Sequence, residues 1–417
     1  VILCGIRLRT LGAGAALAAS AGAVLEPPPA PAPPPASAPA PPSQPAARLD
    51  VQPPTGIDDE LHAITPGVAM KREFDRIAEK TNIRFGVANT FLLQQASGGP
   101  GRRTAASGDL DLLAKWTAVG AGTKDTGVLA FAAEYRYQIG DITPSALGGE
   151  IGTLVPTTNS FSERPMVVKE VYWDQRLADD HIRIAAGRID PENLFGGHRL
   201  QSANTFFFNK AFSGNVSVAY PGPGLALAGQ IKPVDWFYVT AGITDANGSA
   251  TIGNFQGVFD DLEFLYFTEA AILTDFKDLG QGRYRLALWH IDERDYAGKP
   301  SDAGFTISAD QDFGKSVTVF ARYGHADADV TNITDSAQLG AGIKSVLTQD
   351  DLLGAAVAWS SPKTDSKRDE KVLEFFERLQ ITETSQFTLG VELIFDPSNA
   401  PDDDLLGVFS ARLRIAF

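Results

Sequence analysis

The segment Leu405–Phe417, LLGVFSARLRIAF, leaves this chain few ways to fold. Read at period two, Leu405, Phe409, Leu413, Ile415 and Phe417 share one side with only Gly407 and Ala411 between them. Ser410, Arg412 and Arg414 take the other side. A soluble sandwich would cover the apolar side with a second sheet. In a membrane barrel that side meets hydrocarbon while the arginines meet a wet interior. An aromatic closing such a strand, here Phe417, is an expected mark of bacterial outer-membrane barrels and predicts recognition by the barrel-assembly machinery.

The pattern recurs along the chain. Beyond the N-terminus no run approaches the ~18 apolar residues of a spanning helix, and mean hydropathy is near zero. A barrel escapes that test because only alternate residues touch lipid. Period-two segments lie near 82–95, 107–121, 126–138, 166–174, 181–190, 224–232, 235–246 and 263–275. They continue near 282–293, 303–312, 315–327, 335–346, 351–361, 370–382, 385–396 and 406–417. The connections alternate: 139–165 and 191–223 are long, whereas Gln175–Asp180, 233–234 and Glu383-Thr384 are short. The predicted fold class is therefore all-β: a transmembrane up-and-down antiparallel β-barrel of about sixteen strands, with short periplasmic turns and long extracellular loops.

Facing predicts which groups line the interior. Val317, Val319, Ala321 and Tyr323 oppose Thr318, Arg322 and Gly324; Phe387, Leu389, Val391, Leu393 and Phe395 oppose Thr388, Gly390 and Glu392. A lipid-facing Arg or Lys near the midplane would cost about 2–4 kcal/mol. Arg183, Arg283, Arg285, Arg322, Glu392, Arg412 and Arg414 are accordingly expected in the lumen wall. Arg368–Ile381 also fits an amphipathic helix; as a strand it puts Glu377 among Leu373, Phe375, Leu379 and Ile381 on the lipid side.

Four regions are expected. Residues 1–23 read as a signal peptide, with Arg7 and Arg9 ahead of an apolar stretch and Ala21-Gly22-Ala23 as cleavage site. The sole cysteine, Cys4, would leave with it. Residues 24–65 form a Pro/Ala-rich periplasmic linker: thirteen of the 26 prolines fall in 27–54, a composition that is disordered or polyproline-like and has no core. Residues 66–81 predict a short helix, with Pro66 at its start and Met70, Phe74 and Ile77 on one stripe. The barrel takes 82–417. Net charge runs from −15 to −17 once the signal's two arginines are gone, which argues against a nucleic-acid partner.

Several blocks in order resemble the carbohydrate-selective porin family (OprB-like): Gly187–Phe195, Asp235–Asn247, Ala309–Gly314, Val319–Gly324, Asp350–Trp359, Arg368–Glu370 and Phe395–Asn399. The resemblance covers roughly 80–417. It implies a sixteen-stranded outer-membrane barrel passing sugars by diffusion, in a Gram-negative outer membrane, and a strand rather than a helix over Arg368–Ile381. The proline-rich leader and residues before Asn82 fall outside the resemblance.

A sugar pore needs planar hydrogen-bonding groups and aromatic faces that bind weakly enough to release the solute. Segment 191–223 suits a constriction folded into the lumen: Asn193, His198, Arg199, Gln201, Asn204 and Asn209 are mixed with Phe206, Phe207, Phe208 and Phe212. The bland alternative is a surface loop packed on its own phenylalanines. Arg188 and Asp190, two apart at a strand end, should both face the lumen, as a clamp on hydroxyls or as a rim ion pair. Trp116, Trp173, Trp236, Trp289 and Trp359 suit interfacial girdles. The five histidines lack metal-ligand spacing, and there is no nucleophile elbow or phosphate loop. No catalytic site, metal site or cofactor is expected. Acidic loop runs such as Asp260-Asp261 and Asp402–Asp404 read as solvated, or as cation-bridged contacts to lipopolysaccharide. A general or ion-selective porin and a secreted glycan-binding β protein remain alternatives, and neither trimer nor monomer is specified.

Overall fold

The structure is a computed structural model and describes residues 66–251, 262–277, 279–295 and 297–417. The expected signal peptide, the linker and Asp260-Asp261 lie outside the described residues. Helix α1 (Pro66–Thr81) precedes β1 (Ile83–Ala96), β2 (Thr104–Val119), β3 (Gly127–Gln138), β4 (Arg164–Leu177) and β5 (Ile182–Ile189). Then come β6 (Gly224–Val234), β7 (Phe237–Asp245), β8 (Phe264–Phe276), β9 (Gly280–Ile291), β10 (Asp302–Phe313) and β11 (Val317–Ala326). The last five are β12 (Ile333–Lys344), β13 (Leu352–Pro362), β14 (Glu370–Thr382), β15 (Ser385–Phe395) and β16 (Leu405–Ala416).

Each strand pairs antiparallel with its sequence neighbour, and β1 pairs with β16, so the sheet closes and leaves no edge. Short and long connections alternate from β3 to β11 and from β13 to β16, but the β2–β3 and β12–β13 connections are no shorter than β1–β2 and β11–β12 before them. Arg368–Ile381 is extended: β14 begins at Glu370. Helix α2 (Pro144–Ile151) sits inside the long β3–β4 connection, where no helix is expected from the sequence; Pro144 opens it and Gly152, at φ +81°, ends it.

Period-two facing is plain in the burial. Leu389, Leu405 and Phe409 on the outward rows are 54%, 50% and 60% exposed, whereas Arg412 and Glu392 on the inward rows are buried. Cross-strand partners match: Phe387 lies opposite Leu413, and Phe375 opposite Val391. A wall with apolar residues outside and charges inside is stable only between hydrocarbon and a polar interior. Glu377 sits on the outward row of β14 as expected, half-buried. Trp116 and Trp236 stand exposed at the short-turn end. Trp289 departs from the girdle expectation: it points inward and packs with Phe195 and Phe267 beneath the long connections.

Candidate functional site: the lumen and its inserted loop

The β5–β6 connection, 190–223, folds into the barrel rather than over it. Its apolar residues make the interior core: Phe207, Phe208, Ala211 and Phe212 are fully buried together with Phe320, Phe376 and Val372 of the wall. Phe207 meets Phe376 edge-on at 4.9 Å between ring centroids, and His198 stacks on Phe320 at 4.0 Å. Four phenylalanines in seven residues thus find apolar surface inside the barrel and not in outer water.

Wall charges hold this loop. Arg322 of β11 donates to the carbonyls of Gly196 (3.1 Å), Ala211 (2.9 Å) and Gly214, and to the Gln201 and Gln338 amide oxygens. Arg412 of β16 donates to the carbonyls of Ala203 (2.6 Å) and Phe206 (2.9 Å), with its guanidinium 4.4 Å from the centre of the Phe208 ring. Glu374 of β14 accepts the backbone N–H groups of Phe208 (2.6 Å) and Asn209 (2.9 Å). Asn209 caps a single helical turn, α3 (Lys210–Ser213), by accepting from the Ala211 N–H, and its amide donates to Glu392 (2.8 Å). Irregular backbone buried in a barrel must have its polar groups paired; these side chains supply the partners.

The expected lumen-wall set is placed on inward rows, and most of its members are engaged with protein. Arg283 and Arg285 converge on Asp310, which also meets Arg199 of the loop. Arg199 donates further to Asp312 (2.7 Å). Arg183 makes a two-pronged pair with Asp174 at 2.7 and 3.0 Å, and Arg414 donates to Thr90 (2.7 Å).

The expected clamp of Arg188 and Asp190 is not built. Arg188 belongs to the same row as the exposed Ile182 and Ile184, opposite Leu225 and Val171, and so faces away from Arg183 and Ala185. Its guanidinium is buried at the long-loop rim against the carbonyls of Val168 (2.9 Å) and Ser249 (2.5 Å). Asp190 does face the interior, paired with Lys169 at 3.0 Å. His198 and Asn209 are buried in the loop: the His198 ring is 2% exposed and its Nε2 lies 2.8 Å from the Phe212 carbonyl oxygen.

Sequence reasoning missed the wall facing the loop's other side. Asp109 and Asp111 alternate inward on β2, Glu134 and Arg136 on β3. Arg136 bridges Asp109 (3.2 Å) and Glu134 (2.6 Å), and Arg164 also pairs with Glu134 (2.8 Å). The period-two signal was available for these. Lys169 had none, because a register break between Ala132 and Ala133 bulges β4 there and turns its side chain toward Asp190. Carboxylate oxygens of Asp109, Asp111 and Glu134 lie within 4.8 Å of one another. Arg136, Arg164 and Lys169 already balance them, so the cluster reads as wall and no metal is assigned. Between this wall and the loop, Asp111, Asn159, Lys169, Asp190, Glu192, Asn193, Asn204 and Lys210 remain partly exposed.

The family model for the carbohydrate-selective porin, OprB family, matches residues 81–417. The chain belongs to this family. Its fold is that of Pseudomonas putida OprB: the high-pH structure superposes with a TM-score of 0.67 at 15% identity, covering 82% of this chain and 96% of that one. The low-pH structure gives 0.53 at 14% identity, covering 85% and 98%. Among curated proteins, Porin AaxA of Chlamydia abortus is 23% identical over 272 residues, 62% of this chain. Its counterpart in Chlamydia felis is 22% identical over the same length. The match spans about 59% of the length of the first of these relatives. Family and fold are those of a channel rather than an enzyme.

Proposed function

We propose that this chain is a passive pore for small carbohydrates in the outer membrane of a Gram-negative bacterium. One observation carries the reading: the loop 190–223 is pinned inside the barrel by wall side chains, and beside it amide, carboxylate and ammonium groups stay partly exposed. Asn159, Asp190, Glu192, Asn193 and Asn204 offer planar acceptors and amide donors, and Lys169 and Lys210 offer ammonium donors, to sugar hydroxyls. Partly solvated groups exchange partners readily, which a conduit requires and a tight binding site does not.

The same reading takes residues 1–23 as the export signal and 24–65 as a periplasmic spacer. It takes lipopolysaccharide and outer-membrane lipid as surroundings, and Phe417 as part of the signal to the barrel-assembly machinery. The charged lining favours the ion-selective porin as second reading. Single-channel current in planar bilayers, titrated with mono- and oligosaccharides, tests the pair. Reversible block by sugar, together with swelling of sugar-loaded vesicles, supports the first; current indifferent to every sugar refutes it. Asp190→Asn should lower the preference for cations over anions and alter sugar block, since it removes a lumen charge and the partner of Lys169.

A further inference from the structure

Helix α1 is unused by the pore. It ends at Asn82, which takes the left-handed conformation (φ +58°) and donates its backbone N–H to the Ala78 carbonyl at 2.9 Å. This C-cap reverses the chain. Phe74 lies seven residues before the helix end, about 10 Å along its axis, yet its ring centre is 5.8 Å from that of Phe85, the third residue of β1. A helix projecting straight from the short-turn rim would hold these rings apart, so α1 folds over against the barrel wall at that rim.

The wall it meets is the outer one. Arg84 and Gly86 occupy the inward row of β1, and Phe85 occupies the outward row, 42% exposed. Next to it, Ile83 pairs with Trp116 of β2, 45% exposed on the outward row at the short-turn end. Aromatic residues at that level mark the boundary between hydrocarbon and headgroups. The polar side of α1 exposes Arg72, Asp75 and Glu79, the pairs Lys71–Asp75 (3.0 Å) and Glu73–Arg76 (2.6 Å) flank the stripe, and Met70, on the stripe with Phe74 and Ile77, is 40% exposed. The stripe therefore continues the apolar belt of β1 and β2 past what the barrel itself covers.

We propose that α1 is an interfacial helix, lying in the phospholipid leaflet at the short-turn end of the barrel with Met70 in lipid and Arg72, Arg76 and Lys80 among the phosphates. Lipid is the occupant that this position selects, because the stripe runs without a break into a surface that hydrocarbon already covers. An amphipathic helix held this way sinks about 5–10 Å into the headgroup boundary. The inference rests on the membrane reading of the barrel, so its test carries an internal control.

Single cysteines are placed at Met70, Glu79 or Leu389 in a Cys4→Ser background and labelled with an environment-sensitive dye. Each protein is reconstituted in phosphatidylglycerol–phosphatidylethanolamine vesicles, and heat-modifiable gel mobility verifies barrel assembly. The Met70 label should be quenched roughly two-fold more by a shallow acyl-chain nitroxide than by aqueous iodide, as that depth demands; the Glu79 label, on the opposite face, should show the reverse. Leu389, 54% exposed on the outward row of β15, should respond to acyl-chain quenchers. Leu389 quenched in lipid with Met70 quenched only by iodide overturns the helix proposal and leaves the barrel reading intact. Leu389 open to iodide overturns the barrel reading itself. Energy transfer between Met70 labels on separate chains, abolished by dilution into excess lipid, would give the stripe to a second copy and likewise overturn the proposal.

Discussion

Glu374 and Glu392 stand directly opposite each other across the β14–β15 ladder, and both reach the same loop residue: one accepts the Asn209 backbone N–H, the other its side-chain amide. Like charges so placed are unfavourable; what holds them is the set of loop donors between them. Glu392→Gln keeps an oxygen for the Asn209 amide and removes the repulsion, so heat-modifiable gel mobility should be retained to equal or higher temperature. Glu392→Ala orphans that amide, at about 1–3 kcal/mol, while the Gln94 amide keeps Thr157 and Ser410 as acceptors. It should melt earlier and give noisier single-channel current.

Arg322 gathers both ends of the loop's buried stretch, from Gly196 to Gly214. Arg322→Met removes the donor to the Ala211 and Gly214 carbonyls inside the barrel, each worth about 1–3 kcal/mol, while Gly196 keeps the Asn215 amide. The loop should leave the wall, with conductance rising and sugar block weakening in bilayer recordings. Arg322→Lys should rescue little, since an ammonium cannot span the carbonyls that the planar fork reaches. Unchanged conductance in the Met variant would contradict this role.

The two sides of one strand should answer differently to charge. Leu389→Arg puts a guanidinium on the outward row of β15 and should cost about 2–4 kcal/mol near the midplane. Phe395→Arg, at the strand's end, should cost about 0–1 kcal/mol. Urea unfolding of the vesicle-inserted barrel measures both, and equal costs would speak against a lipid belt centred on Leu389.

Asp351, in the short β12–β13 turn, accepts the backbone N–H groups of Val346 (2.7 Å), Leu347 and Thr348 (2.7 Å). Burial pushes its carboxyl up, but these amides outweigh burial and hold it below the usual carboxylate range. A depressed folded-state value means the turn's contribution is present above the unfolded carboxylate range, near pH 3.9, and fades as pH falls through the folded value. Wild type should therefore lose stability on acidification more steeply than Asp351→Asn. Parallel pH profiles of urea midpoints would refute it.

Sequence alone decided which side of each strand is apolar and how the turns alternate, because one residue out of register would exchange hydrocarbon for water along a whole strand. Sixteen strands and the inward arginines follow from that constraint, and the helix at Pro66–Thr81 from its own i, i+4, i+7 stripe. Arg188 escaped it because carbonyls of β4 and of a rim loop, Val168 and Ser249, satisfy a guanidinium on the outward row, where alternation no longer reports solvent. Lys169 escaped it through a bulge that period-two counting cannot see. The path of segment 190–223 was decided by tertiary structure: its partners Phe320, Arg322, Glu374 and Arg412 lie more than a hundred residues away, and only barrel closure brings their inward rows around one loop.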